Sequence, residues 1–226
     1  MRLRPSGLVS LAVTLPLFCV ISTTAISADS YDAAAEFSAS ENPSGVWSYG
    51  WSSTLEGEMT PYDVGYLSAE GLDVWYGSSQ GSNPSIVHNG TDTTIATSGN
   101  DLTWAPGQLS LHPGPSGQQS RVRFSVPTTG TWSIDAIFQS IDATGGSTDV
   151  HVIHNGLALF DEDVVGFGDS ATYAGAGLSF TAGDTVDFVV GFLNGNYYDD
   201  STALDAVLSL ESSGCTPPTG LLPAVR

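Results

Sequence analysis

Aromatic rings and carboxylates are the side chains of this sequence whose spacing could do chemistry. Trp47, Tyr49 and Trp51 fall at i, i+2 and i+4, so a strand over Val46–Trp51 displays three large rings on one face. Such a face can stack on sugar rings, but aromatics also supply the largest buried area of a sheet core, and core is the simpler reading of these three. Trp75 and Tyr76 are neighbours on one strand, so a half-buried sheet places one ring inside and the other outside. Tyr197 and Tyr198 sit in a Gly-, Asn- and Asp-rich stretch that reads as a loop, where binding groups commonly reside. Trp75, Tyr76, Tyr197 and Tyr198 are therefore the candidate ligand contacts.

The acids suggest a hard cation. Glu36 is expected on the first strand, Asp205 on the last, and Asp199-Asp200 just before it. First and last strands often lie side by side in a jelly roll, and carboxylates joined by backbone carbonyls suit Ca²⁺, which takes six to eight oxygens. Glu36, Asp199, Asp200 and Asp205 are the candidate ligands of a structural Ca²⁺, with Asp161-Glu162-Asp163 as a second acidic group. Zinc is not expected, because His151 and His154 have odd spacing and point to opposite faces of a strand, while His88 and His112 are isolated. No nucleophile elbow, phosphate loop or zinc-protease helix occurs, and no carboxylate pair is singled out by local spacing, so no catalytic residue is assigned.

The elements that must position these groups are strands. Short alternating apolar runs are separated by clusters of Gly, Asn, Asp, Ser and Pro, which predicts an all-β chain. Val122, Phe124 and Val126 share a face; after Pro127-Thr128-Thr129-Gly130, so do Trp132, Ile134, Ala136 and Phe138. Read as a hairpin, this register puts Arg123 opposite Asp135 on the solvent side. Asn155-Gly156 predicts a second hairpin between Val150/Val152 and Leu157/Leu159. Val186, Phe188, Val190 and Phe192 then share one face, as do Leu204, Ala206, Leu208 and Leu210 on the last strand. Weaker strand signals cover Ala33–Ser38, Leu72–Tyr76, Ser85–Asn89 and Leu109–His112. About ten short strands fit a two-sheet antiparallel β-sandwich.

Residues 1–28 have the form of a secretory signal: Arg2 and Arg4, an apolar run from Leu8 to Ile21, and a small-residue exit at Ala25-Ile26-Ser27-Ala28. The run contains Pro16 and is shorter than the ~20 residues a membrane span needs, so no span is expected in the mature protein. Residues 29–212 read as one domain and 213–226 as a flexible tail. Formal net charge is −19, and Arg121, Arg123 and Arg226 are the only basic residues beyond the leader. That field repels nucleic acid and acidic polysaccharides and concentrates cations. Cys215 alone remains after processing, so no internal disulfide can form.

The run Thr103-Trp104-Ala105-Pro106-Gly107-Gln108-Leu109-Ser110-Leu111-His112, with Val122-Arg123-Phe124-Ser125-Val126-Pro127, Ala182-Gly183-Asp184-Thr185-Val186-Asp187-Phe188 and Asp199-Asp200-Ser201-Thr202-Ala203-Leu204-Asp205, resembles a jelly-roll module of exported bacterial proteins. Such modules occur in proteins with PEP-CTERM sorting tails and resemble carbohydrate-binding-module and galactose-binding-like β-sandwiches. The likeness spans roughly residues 31–211 and implies a jelly roll with calcium between an acid of the first strand and one of the last. This chain lacks the Pro-Glu-Pro motif and apolar span of the sorting tail. The expectation is a secreted, non-catalytic module that binds a neutral polysaccharide or cell-surface glycan, or contributes to an envelope or matrix surface. A glycan-active hydrolase and a purely structural or adhesive envelope protein are the alternatives.

Overall fold

The computed structural model describes residues 29–213 except 98, 100 and 194, so the signal read in residues 1–28 and the tail with Cys215 lie outside the described residues. In chain order the strands are β1 (Ser30–Asp32), β2 (Trp47–Ser52), β3 (Thr60–Pro61), β4 (Val64–Leu67), β5 (Asp73–Tyr76), β6 (Ser85–His88), β7 (Ile95–Thr97) and β8 (Leu102–Trp104). They continue with β9 (Leu109–His112), β10 (Gln119–Ser125), β11 (Gly130–Ser140), β12 (Ser147–His154), β13 (Leu157–Val165), β14 (Ser170–Phe180), β15 (Thr185–Val190) and β16 (Thr202–Ser213). An eight-stranded sheet runs β14-β11-β16-β9-β6-β5-β4, with β1 also on β16; a six-stranded sheet runs β13-β12-β15-β10-β2-β3; β7 and β8 form a separate ribbon. Pairing is antiparallel throughout, which is the expected all-β sandwich.

Burial follows the two-residue period of each strand. Trp132, Ile134, Ala136 and Phe138 of β11 and Leu204, Ala206, Leu208 and Leu210 of β16 face inward, against Val122, Phe124, Val186, Phe188 and Val190 of the other sheet. Trp47 and Tyr49 are fully buried in this core and Trp51 is half-buried, so their common face serves packing rather than sugar stacking. The Asn155-Gly156 turn forms as predicted between β12 and β13, with both residues at positive φ.

One neighbour relation differs from the sequence reading. Residues 127–129 form a corner between sheets: β10 lies in the six-stranded sheet and β11 in the eight-stranded one. Arg123 is therefore not opposite Asp135, which stands between Ala174 and Val207. The true partner is Asp187 on β15, the register neighbour of Arg123. Its Oδ1 accepts Arg123 Nε at 2.6 Å and its Oδ2 accepts Arg123 Nη2 at 2.8 Å and Arg121 Nη1 at 3.1 Å. Arg121 also donates to Ser52 Oγ and to the carbonyls of Thr54 and Leu55, which fastens the loop after β2 over the sheet.

The first strand also lies elsewhere than expected: it is Ser30–Asp32, and residues 33–38 form a turn and loop instead. Asp32 ends β1, where its Oδ1 accepts the Ala34 and Ala35 amides and starts a turn that carries Glu36 off the sheet. Burial of Trp132 and Phe188 predicts a loss of about 3–5 kcal/mol for either alanine variant, read by urea unfolding. Asp187→Asn leaves the buried Arg121 guanidinium without its counter-charge and is expected to cost about 3–5 kcal/mol in the same measurement.

Candidate functional site

The outward residues of β14, β11 and β16 form rows across the larger sheet. Thr172, Ile137 and Asp205 stand side by side, and Ser170, Gln139 and Ala203 form the next row. On its other flank β16 is paired by β9 at residues 202–204 and by β1 at residues 207–209, so the sheet has a notch beside Asp205. The notch and the two rows are the floor of a cleft of about 850 Å³. Its walls are the Asp32–Ala35 turn on one side and the Ala105–Gln108 loop on the other, with His88 and Thr91 between. A smaller hollow of about 240 Å³ shares Ala105, Gln108 and Gln139 and extends the groove to Phe167, whose ring is exposed.

Asn89 builds the second wall. It is fully buried, and its Nδ2 donates to the carbonyls of Thr93 (2.8 Å), Trp104 (3.0 Å) and Ala105 (3.1 Å). Its Oδ1 accepts Thr91 Oγ1 at 2.7 Å and Thr91 N at 3.1 Å, while its backbone bonds to Gln108 O and Gly107 N. Beneath the ribbon, Trp104 packs with Leu72, Val74, Ile141 and Ala203 in a second apolar cluster and donates Nε1 to Ser110 Oγ at 2.8 Å. This covers one end of the sheet's outer face and leaves the rest as the groove.

The cleft is acidic to neutral. Asp32 and Asp205 line it; Arg121 and Arg123 are committed to Asp187 on the other sheet. Burial holds the His88 imidazole below its ordinary pKa despite Asp73 beside it, which favours its neutral form. Gln108, Gln139, Thr91, Thr172 and Ser170 supply neutral hydrogen-bonding groups.

The four aromatic candidates do not converge on the cleft. Trp75 is buried, with Nε1 donating to Ser38 O at 2.6 Å, and Tyr76 lies half-exposed against Tyr66 near the sheet edge, the inside-outside split expected of them. Tyr197 and Tyr198 pack with ring centroids 4.5 Å apart and planes tilted by 34° in the β15–β16 loop, and Tyr197 meets His112 edge to face. Nor do the four acids form one ligand set. β1 and β16 do pair, yet Glu36 accepts Trp47 Nε1 at 3.0 Å and the Asp32 amide, and the first-strand acid sharing the cleft with Asp205 is Asp32. Asp200 is buried, while Asp199 beside it has positive φ. Among the described residues no three His, Cys, Asp or Glu side chains are grouped to hold a metal by themselves. His151 and His154 stay apart, each beside its own acids: Asp149 and Asp161 for His151, Asp184 for His154.

Asp32, Gln108, Gln139 and Ile137 were missed by the sequence reading. The signal for Ile137 was present: an aliphatic residue at an outward position of a strand whose inward row is already complete.

No protein-family model matches the chain, and no curated protein matches it. Solved structures give partial likenesses. A CBM51 from Clostridium perfringens GH95 in complex with methyl-galactose is 10% identical over 70% of this chain and 99% of that one, with a TM-score of 0.35. The Podospora anserina GH26-CBM35 β-(1,4)-mannanase is 15% identical over 55% of this chain, which spans 26% of the mannanase, at a TM-score of 0.31. A CBM36 in complex with calcium and xylotriose is 12% identical over 44% of this chain and 76% of that one, at 0.27. Among the described residues no helix is long and apolar enough to cross a membrane.

Asn89→Ala removes the side-chain hydrogen bonds to the carbonyls of Thr93, Trp104 and Ala105 and leaves only the backbone bonds to Gly107 and Gln108 between β6 and this wall. A stability loss of about 1–3 kcal/mol is expected, with faster amide hydrogen exchange over residues 91–108 than over β11.

Proposed function

We propose that the cleft on the larger sheet binds a neutral glycan, and that the domain acts as a non-catalytic binding module outside the cytoplasm. The observation that carries this reading is the row of Thr172, Ile137 and Asp205 beside that of Ser170, Gln139 and Ala203: an exposed isoleucine flanked by hydroxyl, amide and carboxylate groups. A sugar ring presents the complementary pattern, an apolar C–H face rimmed by hydroxyls. Phe167, in the adjoining hollow, offers a second apolar surface for a further residue of a chain. Acidic sugars are disfavoured, because Asp32 and Asp205 line the cleft and the charge of the chain is −19. The signal read in residues 1–28 supports export, where polysaccharide is encountered.

A hydrolase reading rests on the same two cleft carboxylates. Asp32 is opposite Val207, two residues from Asp205 on the same face, which puts the two positions roughly 7–8 Å apart diagonally. Asp32, however, spends an oxygen on the Ala34 and Ala35 amides and serves as a turn cap.

Affinity electrophoresis against neutral and uronic-acid polysaccharides, with new reducing ends assayed in the same samples, tests the proposal. Retention by a neutral polymer without cleavage is expected, weakened about tenfold by Gln139→Ala, an exposed change that removes one hydrogen-bonding group. Cleavage abolished by Asp32→Asn or Asp205→Asn establishes the hydrolase instead. Neither retention nor cleavage with any of the polymers overturns both readings.

A further inference from the structure

Away from the cleft, the β11–β12 and β15–β16 connections meet at a buried acid. Asp200 is 1% exposed. Its Oδ1 accepts the Ser147 amide at 2.8 Å, whereas its Oδ2 is buried and accepts no hydrogen bond. Asp142, also buried, lies in the neighbouring connection, with Oδ1 accepting Thr144 Oγ1 at 2.8 Å. The two segments approach so closely that a Cβ at Gly146 would overlap both the Asp199 carbonyl and Asp200 Oδ1.

A buried carboxylate without counter-charge is costly, and among the described residues no cationic side chain is paired with Asp200. The sequence contains no lysine, and Arg121 and Arg123 are held by Asp187. His112 is near Asp142 and Asp199, but its Nδ1 is engaged with Pro113 O at 2.8 Å and burial keeps its imidazole below the ordinary pKa. Asp199, Asp142 and Asp149 add negative charge around Asp200, so its buried, unpaired Oδ2 calls for positive charge from outside the described residues.

We propose that the junction of these two connections holds a hard divalent cation of the calcium type on Asp200 Oδ2, with Asp142 and Asp199 supplying neighbouring oxygens. The remaining ligands are backbone carbonyls, hydroxyls and water, since three acidic side chains do not by themselves close a cage here. Asp205 and Glu36 take no part. Bound there, the ion ties the β11–β12 turn to the loop carrying Tyr197 and Tyr198, and with Tyr198 two residues from Asp200 these rings serve as its reporters.

The test uses the exported domain after chelation. Melting temperature is measured with chelator and with millimolar Ca²⁺, and Tb³⁺ luminescence is excited through tyrosine and competed with Ca²⁺. The expected results are a rise of roughly 5–10 °C at calcium 100-fold above its Kd and a sensitised Tb³⁺ signal. Both are lost in Asp200→Asn, reduced in Asp142→Asn and retained in Asp92→Asn, an exposed loop control. Identical melts with chelator and calcium and no Tb³⁺ signal in the unmodified domain overturn the proposal, because a proton then neutralises Asp200. A full response surviving in Asp200→Asn overturns it equally, and the wild-type measurements decide the case even if a variant does not fold.

Discussion

Trp132, Ile134, Ala136 and Phe138 must be buried together, and the pleat of β11 then turns Asp135, Ile137 and Gln139 outward. Trp132 meets Phe124 of the opposing sheet at 5.7 Å between ring centroids, and Phe124 in turn touches Trp47 and Tyr31. This contact holds the two sheets in one relation, since Tyr31 belongs to the first strand and Trp132 to the strand beside the last. A slip of one residue in β11 would bury the carboxylate of Asp135 and expose the indole of Trp132. The composition of the groove floor is thus a by-product of the packing requirement behind it.

The inward faces were legible in the sequence because alternation reports them directly. Val122, Phe124, Trp132, Ile134, Phe188 and Leu208 are all core residues, and Asn155-Gly156 makes the turn its chemistry demands. Alternation is silent on which strand lies beside which. A hairpin and a corner between facing sheets point their apolar residues at the same core, so Pro127-Thr128-Thr129-Gly130 reads the same either way. That is why the inward residues of β10 and β11 were legible while the Arg123–Asp135 neighbour relation was not.

The site was less legible, for a different reason. The cleft draws on the Asp32–Ala35 turn, the Ala105–Gln108 loop and three strands far apart in sequence, and its wall hangs on Asn89, a residue with no local signature beyond its place after a strand. Glu36 and Asp205 were paired on the sound expectation that first and last strands adjoin, but Asp32 caps a turn that carries Glu36 to Trp47 instead. Burial of Asp200 depends on contact with Gly146 and Ser147, some fifty residues earlier, which spacing within the loop cannot express.

The treatment of positive charge has a consequence for survival among proteases. Trypsin-class enzymes cut after lysine or arginine, and between residues 29 and 213 only Arg121 and Arg123 offer such bonds. Both lie in β10, an interior strand with β15 on one side and β2 on the other, and both guanidinium groups are bound to Asp187. Cleavage there requires β10 to leave a sheet whose inner face is the main core, so these bonds become available only when the sandwich opens as a whole. Resistance to this class of protease is therefore a direct readout of global unfolding in this domain, and amine-directed acylating reagents find no lysine side chain on it to modify.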